Sequence, residues 1–340
     1  MIGSDAKARS GPVPQILFVH NGRERFVQDD LALLRKSFDV TDWYQPARFY
    51  NPARLAQLMC RHGLVFSWFA SWHALAPVWL ARRLGKPAVT VVGGYDTACL
   101  PVAGYGSQRG GLKRLVARMV IRSSSHLITN SYAARQEAIT NAGADSAKIS
   151  VIYHGVEPID MVDQSPRERI ALTVGGVWRE NLLRKGLLPF VQAAAHLPGV
   201  RFIHAGRWFD DSVDELRRAA GPNVEIKGGL SDDELAGLYR RASVYVQPSL
   251  HEGFGLSVAE AMSAGCVPVV ARHGALPEVV GPHGVVLADT QPQTIAAGVQ
   301  QALAFPAATR IAARSRVVSE FSMQRREQAL ARLLNQALVP

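Results

Sequence analysis

The residues of this chain that are best suited to chemistry lie between Ser249 and Gly281, in the sequence SLHEGFGLSVAEAMSAGCVPVVARHGALPEVVG. Glu252 stands directly before the loop Gly253-Phe254-Gly255, and Glu260 follows Glu252 at the eighth position. A helix is predicted to begin at Leu256–Ser257. Glycines let a backbone approach a ligand closely, and a helix start presents free N–H groups and a partial positive charge. The segment therefore predicts a site for an anionic group such as a phosphate.

The two glutamates of this segment would repel a phosphate, so we assign them a different task. Carboxylates accept hydrogen bonds from hydroxyl groups. A ligand that has hydroxyl-bearing groups on both sides of its phosphates is a sugar nucleotide. A second interpretation stays open for Glu260, because Ser257-Val258-Ala259-Glu260 has the spacing of a capping box, whose carboxylate binds the start of its own helix. For Glu252 the alternative is a surface carboxylate in a loop.

Strands and helices alternate along the whole chain, as short apolar segments and amphipathic segments follow one another. The predicted strands are Ile16–His20, Phe38–Thr41, Leu64–Trp68, Ala88–Val92, His126–Thr129, Ile170–Val174, Arg201–Ala205, Val224–Lys227, Val244–Gln247, Val267–Val270 and Val285–Leu287. The predicted helices include Leu187–Leu197, Val213–Ala220, Asp232–Arg241 and Val258–Ala264. This alternation favours parallel sheets covered on both faces, and it supplies enough units for two doubly wound domains.

The chain divides into four predicted parts: a loose tail (1–14), a first domain (15–153), a second domain (154–320) and a C-terminal segment (321–340) that returns to the first domain as a helix. Ligands bind at the carboxyl ends of parallel strands, so two facing domains would hold the active site in the cleft between them. Gly22 and Asp96 follow predicted strands of the first domain and are placed to face that cleft. Asp96 could handle a proton, or it could simply form a turn.

Composition excludes several classes of protein. The chain has 340 residues and a formal net charge of +10, which permits an anionic membrane or a phosphorylated small molecule as partner. No run of five basic residues occurs, which argues against nucleic acid. Cys60, Cys99 and Cys266 lie far apart among apolar or small residues and predict buried thiols in a reducing compartment. The tail lacks the apolar core of a signal peptide and no spanning helix is predicted, so we expect a cytoplasmic protein.

HEGFGLSVAEAMSAG, followed by PVV and GALPEVVG, resembles the signature of the retaining glycosyltransferases of family 4, which have the two-domain GT-B fold. The family's Glu-x7-Glu motif falls on Glu252 and Glu260. The resemblance implies that Glu252 positions hydroxyls of the donor sugar and that Glu260 holds the ribose. In that family an arginine and a lysine six residues later grip the donor diphosphate, which implies Arg179 and Lys185, with Arg184 as a possible substitute for the arginine.

The resemblance implies further donor contacts. Gly229 and Leu230 lie in a segment similar to the family's base-binding turn, although a plain strand-to-helix loop is an equal alternative. Gly155 lies in a segment that resembles the entry to the second domain, where a hinge turn explains it equally well. Many relatives carry a histidine near the position of Gly93-Gly94, and this chain has none there. The implied catalytic set is Glu252, Arg179, Lys185 and Asp96, and the implied donor-binding set is Glu260, Gly253, Phe254, Gly255, Leu256, Ser257, Gly229, Leu230, Gly155 and Gly22.

Together these features predict a retaining enzyme that moves a hexose from a nucleoside diphosphate sugar to a glycan, lipid-linked or small-molecule acceptor. We expect no metal and no cofactor, because no Asp-x-Asp motif occurs and a Lys/Arg pair can do the charge work of a metal. The alternatives are a sugar phosphorylase of the same fold and a non-catalytic subunit that binds a sugar nucleotide or glycan. A dehydrogenase is disfavoured because the dinucleotide glycine fingerprint is absent from the sequence.

One helix of the first half carries a basic stripe. Within the predicted helix Gly110–Arg122, Arg114, Arg118 and Arg122 recur at four-residue steps, and an apolar face is formed by Leu115, Val116, Met119 and Val120. Such a helix can lie on an anionic membrane. The alternative is an ordinary surface helix whose apolar face packs on the sheet.

Overall fold

A computed structural model of the chain describes residues 14–46, 49–161 and 167–339. Most of the predicted tail, residues 1–13, lies outside the described residues. The described chain forms two parallel sheets of six strands each, and helices alternate with the strands. This arrangement confirms the predicted architecture of two Rossmann-like domains.

The first domain is built on the sheet order β2-β1-β3-β4-β5-β6. Its strands are β1 (Gln15–His20), β2 (Asp39–Tyr44), β3 (Leu64–Trp68), β4 (Ala88–Val92), β5 (His126–Thr129) and β6 (Ile149–Val151). Its helices are α1 (Arg25–Arg35), α2 (Pro52–Arg61), α3 (Trp72–Arg83), α4 (Gly111–Ser123) and α5 (Tyr132–Thr140). The central strands β3 and β4 are buried at every position, as expected where helices cover both faces of a sheet.

The second domain has the sheet order β12-β11-β10-β7-β8-β9. Its strands are β7 (Glu168–Val174), β8 (Arg201–Ala205), β9 (Val224–Lys227), β10 (Ala242–Gln247), β11 (Val267–Ala271) and β12 (Val285–Leu287). The helices that follow the first domain are α6 (Arg179–Arg184), α7 (Leu187–Ala193), α8 (Ser212–Ala219), α9 (Asp232–Arg241), α10 (Leu256–Ser263), α11 (Leu276–Val280), α12 (Pro292–Leu303), α13 (Ala307–Glu320) and α14 (Met323–Leu338). Each predicted strand is present, and the sequence analysis missed only β6 among the described strands.

Helix α14 packs on the first domain rather than on the second. Leu330 and Leu334 are fully buried in the same apolar cluster as residues of β1 and α1. Arg326 is buried and donates to both carboxylate oxygens of Asp30 in α1, at 2.5 and 2.7 Å. The same guanidinium donates to the carbonyls of Ile152 and Tyr153, where the chain leaves the first domain. Arg326 therefore ties the segment where the chain leaves the first domain to the helix with which the chain returns to it.

Two expectations about surface residues need correction. Cys266 is buried, but Cys60 and Cys99 are exposed, so the prediction of buried thiols is wrong for those two. In α4 the basic stripe is interrupted, because Arg118 is half-buried and donates to Gln108 Oε1 and to the carbonyl of Asn141. None of the helices in the described ranges is long and apolar enough to cross a bilayer.

Candidate active site

The carboxyl ends of both sheets face one cleft, and the loop after β10 meets the loop after β4 there. A Cβ atom at Gly253 would lie 1.9 Å from the carbonyl oxygen of Gly93, so only glycine permits this approach of the two backbones. Ser131, at the start of α5, donates from Oγ to the carbonyl of Gly253 at 2.7 Å. The residue next to Gly253 is Glu252, and this contact therefore brings the first domain against the glutamate loop.

Glu252 lies at the centre of a buried polar network. Lys185 Nζ donates to Glu252 Oε1 at 2.5 Å, and Arg184 Nη1 lies 3.8 Å from the same oxygen. Gln247 Nε2, in the last residue of β10, and Ser249 Oγ, two residues later, also donate to Oε1, at 3.2 and 3.1 Å. The side chains of Lys185 and Glu252 are 14% and 12% exposed, so this ion pair lies largely out of solvent.

The cations decide the protonation state of Glu252. Burial alone would raise the pKa of this carboxyl, but the Lys185 ammonium and the Arg184 guanidinium outweigh burial and hold the pKa below its usual value. Burial lowers the pKa of Lys185, and Glu252 opposes that shift. We conclude that Lys185 and Glu252 are both ionised. The Lys185 ammonium could therefore bind an anion that enters the cleft.

A tyrosine of the first domain covers these cations. The guanidinium of Arg184 lies 4.6 Å from the centre of the Tyr105 ring, in cation–π contact. The Tyr105 ring also lies 5.4 Å from the imidazole of His251, and burial raises the pKa of Tyr105 to about 12. A phenol with so high a pKa stays neutral, so Tyr105 shields the cation cluster from water without adding a charge to it.

Glu260 lies in a separate part of the cleft, beside a cavity of about 470 Å³. The cavity is lined by Arg25, Phe26 and Asp29 of α1, by the connection 155–160 and by faces of α9 and α10. Glu260 accepts a hydrogen bond from Tyr239 at 3.2 Å, and burial raises the pKa of the Glu260 carboxyl. This carboxylate therefore faces a space that could take a hydroxyl-bearing ligand.

The alternative capping role of Glu260 is wrong. Helix α10 begins at Leu256 after Gly255, whose φ of +98° lies in the left-handed region that favours glycine. Ser257 is thus inside the helix, and its Oγ donates to Gln247 Oε1 at 3.3 Å. At the start of α9 a capping box is present, because Ser231 and Glu234 exchange both hydrogen bonds there.

The remaining loop residues differ in what they contact. Leu256 and Gly155 line the 470 Å³ cavity, and a Cβ at Gly155 would meet Met323. Phe254 is buried and packs its ring against those of Tyr153, His154 and Phe321, so it supports the loop from behind.

The predicted base-binding turn lies after β9. Leu230 packs on the core of the second domain, and Gly229 lies beside Arg207. Neither residue lines the 470 Å³ cavity.

Arg179 does not join the Lys185 cluster. It is the first residue of α6, its side chain is 75% exposed, and it pairs with Glu215 at 2.6 Å. Arg184, the possible substitute for the arginine, lies beside Glu252 instead, 3.8 Å from its Oε1. The cations that adjoin Glu252 in the structure are therefore Arg184 and Lys185, and Arg179 stands apart from them.

Asp96 is placed for the second of the two roles considered for it, the formation of a turn. Its Oδ1 accepts the N–H groups of Gly93 and Gly94, both at 3.1 Å, and its Oδ2 accepts the N–H of Ala70 at 2.9 Å. Burial raises its pKa despite these bonds. With both oxygens engaged by backbone donors, Asp96 fixes the turn that meets Gly253 and is not placed to carry a proton.

A second cavity of about 400 Å³ lies in the first domain beside this turn. Phe69, Trp72 and Tyr95 supply aromatic walls, and the backbone of Phe69 has a φ of +68°, a strained value for a residue with a side chain. Gly22 lies at the rim, between the lining residues Asn21 and Glu24, and thus beside this cavity. Strain of this kind is concentrated at functional sites.

Sequence reasoning missed several residues of the cleft. Gln247 and Ser249 form the Gln-Pro-Ser segment directly before the glutamate motif, and this position at a strand end was the available signal. Tyr105 and Tyr239 come from distant segments, and nothing in their local sequence indicates the contact. Across the described ranges, no group of three or more His, Cys, Asp or Glu side chains is arranged to hold a metal ion.

Comparisons with known proteins place the chain among glycosyltransferases. A family profile described as Glycosyltransferase Family 4 matches residues 6–159, and one described as Glycosyl transferases group 1 matches residues 168–304. An MMP alpha-(1->4)-mannosyltransferase of Mycolicibacterium hassiacum is 33% identical over 174 residues, which are 49% of this chain and 42% of that protein. A glycogen synthase of Mycobacterium tuberculosis is 28% identical over 270 residues, 72% of this chain and 64% of that protein. The chain thus spans less than two thirds of the length of these curated relatives.

Solved structures show the same fold. HepE of Anabaena, in complex with UDP and glucose, superposes with a TM-score of 0.74 at 18% identity, covering 95% of this chain and all (100%) of that one. A sucrose-phosphate synthase from Thermosynechococcus elongatus superposes with a TM-score of 0.72 at 18% identity, covering 96% and 99%. The two sheets and their connections are therefore those of known two-domain glycosyltransferases.

Proposed function

The chain belongs to glycosyltransferase family 4, with the GT-B fold, and from this premise we propose that it transfers a hexose from a nucleoside diphosphate sugar with retention of the anomeric configuration. The observation that carries the proposal is the largely buried cluster of Lys185, Arg184 and Glu252 beside the contact between the two domains. Structural neighbours solved in complex with UDP and with UDP-glucose support a donor of this class.

Electrostatic stabilisation of the leaving group is the main catalytic effect in this proposal. When the bond between the anomeric carbon and the diphosphate breaks, negative charge grows on the diphosphate oxygens. Lys185 and Arg184 are fixed cations in a site with little water, and the start of α10 presents free N–H groups nearby. These groups stabilise the released diphosphate without a metal ion.

The two glutamates divide the donor between them. Glu252 is ionised and adjoins the contact between the domains, so it accepts hydrogen bonds from hydroxyls of the sugar. Glu260 faces the 470 Å³ cavity together with Tyr239 and accepts from the ribose hydroxyls. When the donor binds, the Lys185 ammonium moves from Glu252 to the diphosphate, because the diphosphate carries more negative charge than one carboxylate.

The experiment is a thermal-shift screen of the full chain with UDP, GDP, ADP and their sugar derivatives, with and without EDTA. A bound ligand raises the melting temperature by mass action. We expect one base to stabilise the protein in both conditions and Lys185→Ala to abolish the shift. Lys148→Ala is the matched control, because Lys148 precedes β6, an edge strand of the first sheet, and so lies at the amino end of the strands, away from the cleft. No shift with any nucleotide would overturn the proposal, and phosphate-dependent release of a sugar phosphate would indicate a phosphorylase instead.

The acceptor binds in the 400 Å³ cavity of the first domain in this proposal. The cavity is lined by Tyr95 and Asp96 of the turn in which Gly93 contacts Gly253, so an acceptor there lies close to the glutamate loop. Aromatic walls with a few polar groups suit a glycan or a similar small molecule. Lys113 and Val116 bring helix α4 to the same cavity.

A lipid-linked acceptor is the second form of this proposal, and the outer face of α4 supports it. Val116 and Val120 are buried, but Leu112, Leu115 and Met119 are 60%, 55% and 40% exposed. The neighbouring helix α3 adds Trp79, which is 45% exposed. Exposed cations surround these side chains: Arg82, Arg83, Arg114 and Arg122. An apolar ridge with a basic border fits the anionic cytoplasmic face of a membrane, where each cation contributes about 1 kcal/mol.

Cosedimentation with anionic and neutral vesicles at low and high salt tests this surface. We expect salt-sensitive binding to anionic vesicles only, reduced by the pair Leu112→Gln and Met119→Gln. The matched control is Ile311→Gln with Val318→Gln, an exposed apolar pair at the same spacing on α13. Absence of binding to anionic vesicles at low salt would contradict the membrane contact and leave a water-soluble acceptor.

A further inference from the structure

The start of helix α5 in the first domain is capped by a carboxylate of the second domain. Glu278, in α11, accepts the N–H of Tyr132 at 2.9 Å through Oε1 and the N–H of Ala133 at 3.2 Å through Oε2. These are the first two N–H groups of α5, and such groups have no partner within a helix. A carboxylate at a helix start also meets the positive end of the helix dipole. The contact thus joins two charges of opposite sign across the cleft.

The rest of the helix start is completed locally. Ser131 Oγ accepts the N–H of Ala134 at 2.9 Å, and the carbonyl of Ser131 accepts the N–H of Arg135. The same Ser131 hydroxyl donates to the carbonyl of Gly253. The first turn of α5 is therefore fully satisfied only when the second domain supplies Glu278. An open cleft leaves the N–H groups of Tyr132 and Ala133 to water.

The capped helix start lies beside the catalytic loop. Gly253, which Ser131 binds, adjoins Glu252 and packs on Gly93. One turn further along α5, Glu137 accepts from His251 Nε2 at 2.9 Å, and His251 is the other neighbour of Glu252. Ser131 and Glu137 of the α5 region thus bind both residues that flank Glu252, and Glu278 caps the start of the same helix.

From this geometry we propose that Glu278 is a positioning residue for the transfer reaction: it caps α5 across the cleft and so sets the closed arrangement of the two domains. Glu278 is not among the residues that line either of the two cavities described above. It acts on the reaction through the loop that carries Glu252, and it is expected to leave nucleotide binding alone. The inference goes beyond the proposed function, since closure is independent of which sugar is moved.

Two variants remove the contact from opposite sides. Glu278→Gln removes the charge and one acceptor oxygen. Tyr132→Pro removes the donor N–H, and proline is well tolerated there, because it is the first position of the helix and the preceding Ser131 is extended, with φ −165° and ψ 163°. Tyr132→Ala is the matched control, since it loses the same exposed ring but keeps the N–H. Glu320→Gln controls for loss of an exposed carboxylate elsewhere.

Hydrogen exchange and small-angle scattering on the full chain read out closure. We expect the Tyr132 and Ala133 amides to be protected, and Glu278→Gln to speed their exchange by roughly tenfold or more, the scale of a lost charge-assisted hydrogen bond. Glu278→Gln and Tyr132→Pro should each raise the radius of gyration, and the double variant should raise it no further. Unprotected amides in the native chain, additive effects, or equal radii for Tyr132→Pro and Tyr132→Ala would overturn the proposal.

Kinetics separate positioning from a merely structural role. With the nucleotide sugar that binds in the thermal-shift screen, Glu278→Gln should lower kcat for donor hydrolysis or transfer and leave the donor KM unchanged. Glu278→Asp, which keeps the charge on a shorter arm, should restore part of the rate. A raised KM with unchanged kcat would contradict the inference. If no nucleotide sugar is turned over, the proposed function fails, and exchange and scattering still decide the role of Glu278.

Discussion

Glu252 and Asp96 are buried carboxylates that follow strands on opposite sides of one cleft, and their partners differ in kind. Glu252 binds side-chain cations, with Lys185 at 2.5 Å and Arg184 at 3.8 Å. Asp96 binds only backbone donors in the contacts described, the N–H groups of Ala70, Gly93 and Gly94. The pKa of Glu252 is lowered, because the cations outweigh burial, and the pKa of Asp96 is raised, because burial outweighs its hydrogen bonds.

This difference separates a group that can work on a ligand from one that shapes the site. A lysine side chain can turn from Glu252 to an incoming phosphate without movement of the backbone. The backbone donors around Asp96 are part of the turn itself, so Asp96 cannot exchange them without losing the turn that meets Gly253. A buried carboxylate at a strand end is therefore not sufficient evidence for catalysis. Its hydrogen-bond partners must also be able to move away, so that the carboxylate or the partner can bind a ligand.

The largest expected effect comes from exchanging each carboxylate for its amide. Glu252→Gln should lower the transfer rate by ~10²-fold, the scale of removing one electrostatic contact at a reacting centre. Asp96→Asn places an NH2 group against backbone donors, so it should cost about 1–3 kcal/mol of folding free energy with little change in turnover per folded molecule. Turnover and urea unfolding of both variants check this. A similar loss of turnover in both would erase the distinction.

Arg184 and Arg179 test which cations bind the diphosphate. Arg184→Lys keeps a charge near Glu252 but loses the planar stack on Tyr105, so nucleoside diphosphate affinity should fall by about 0.5–1.5 kcal/mol. Arg179→Ala should leave affinity unchanged, because Arg179 pairs with Glu215 at the surface. Calorimetric titration with the diphosphate found in the screen measures both. Weaker binding by Arg179→Ala alone would restore the assignment made from sequence.

The fold could be predicted because most strands are short apolar segments bounded by turns. Central strands such as β3 and β4 are buried on both faces, so their sequences carry a continuous signal. β6 has three half-buried residues at the edge of its sheet and carries almost none. Local helix signals were reliable where side chains made the cap, as at Ser231, and failed at Ser257, where the glycine before the helix sets its start.

The site could be predicted where its residues share one local segment or, as for Lys185, where the resemblance to the family implies them. Glu252, Glu260 and the loop between them are set by a single strand–loop–helix unit, so spacing alone predicts them. The position of Arg179 depends on how the residues between β7 and α6 fold, and spacing alone misplaced it. Tyr105 reaches the site from the first domain, and Glu278, although it lies in the same segment as Glu252, contacts α5 of the first domain. Both contacts depend on packing between the domains, which no local pattern encodes.

Glu260 extends the comparison to a third buried carboxylate, whose protein partner is the neutral Tyr239 hydroxyl. Glu260→Gln should weaken bare nucleotide binding by about 1 kcal/mol, and Tyr239→Phe by about half as much, since each loses a hydrogen bond to the ribose or to its acceptor. Glu252→Gln should leave bare nucleotide binding nearly intact. Calorimetry with the nucleotide lacking its sugar checks all three variants, and equal losses for both glutamate variants would contradict the division of the donor between them.

The smallest expected effect is the opposite pH dependence of the two carboxylates in folding stability. The folded-state pKa of Glu252 lies below its ordinary value of 4.5, so its contribution is present above that value and is lost as pH falls through the folded pKa. The folded-state pKa of Asp96 lies above 3.8, so the folded chain binds its proton more tightly, and this contribution declines as pH rises through the folded pKa. Urea unfolding at pH 4 and pH 7 should show that Glu252→Gln costs more stability at pH 7 and that Asp96→Asn costs more at pH 4. The same sign for both variants would mean that the pKa of Asp96 is lowered, as that of Glu252 is, and that its backbone donors outweigh burial; the contrast between the two pKa shifts would then fail.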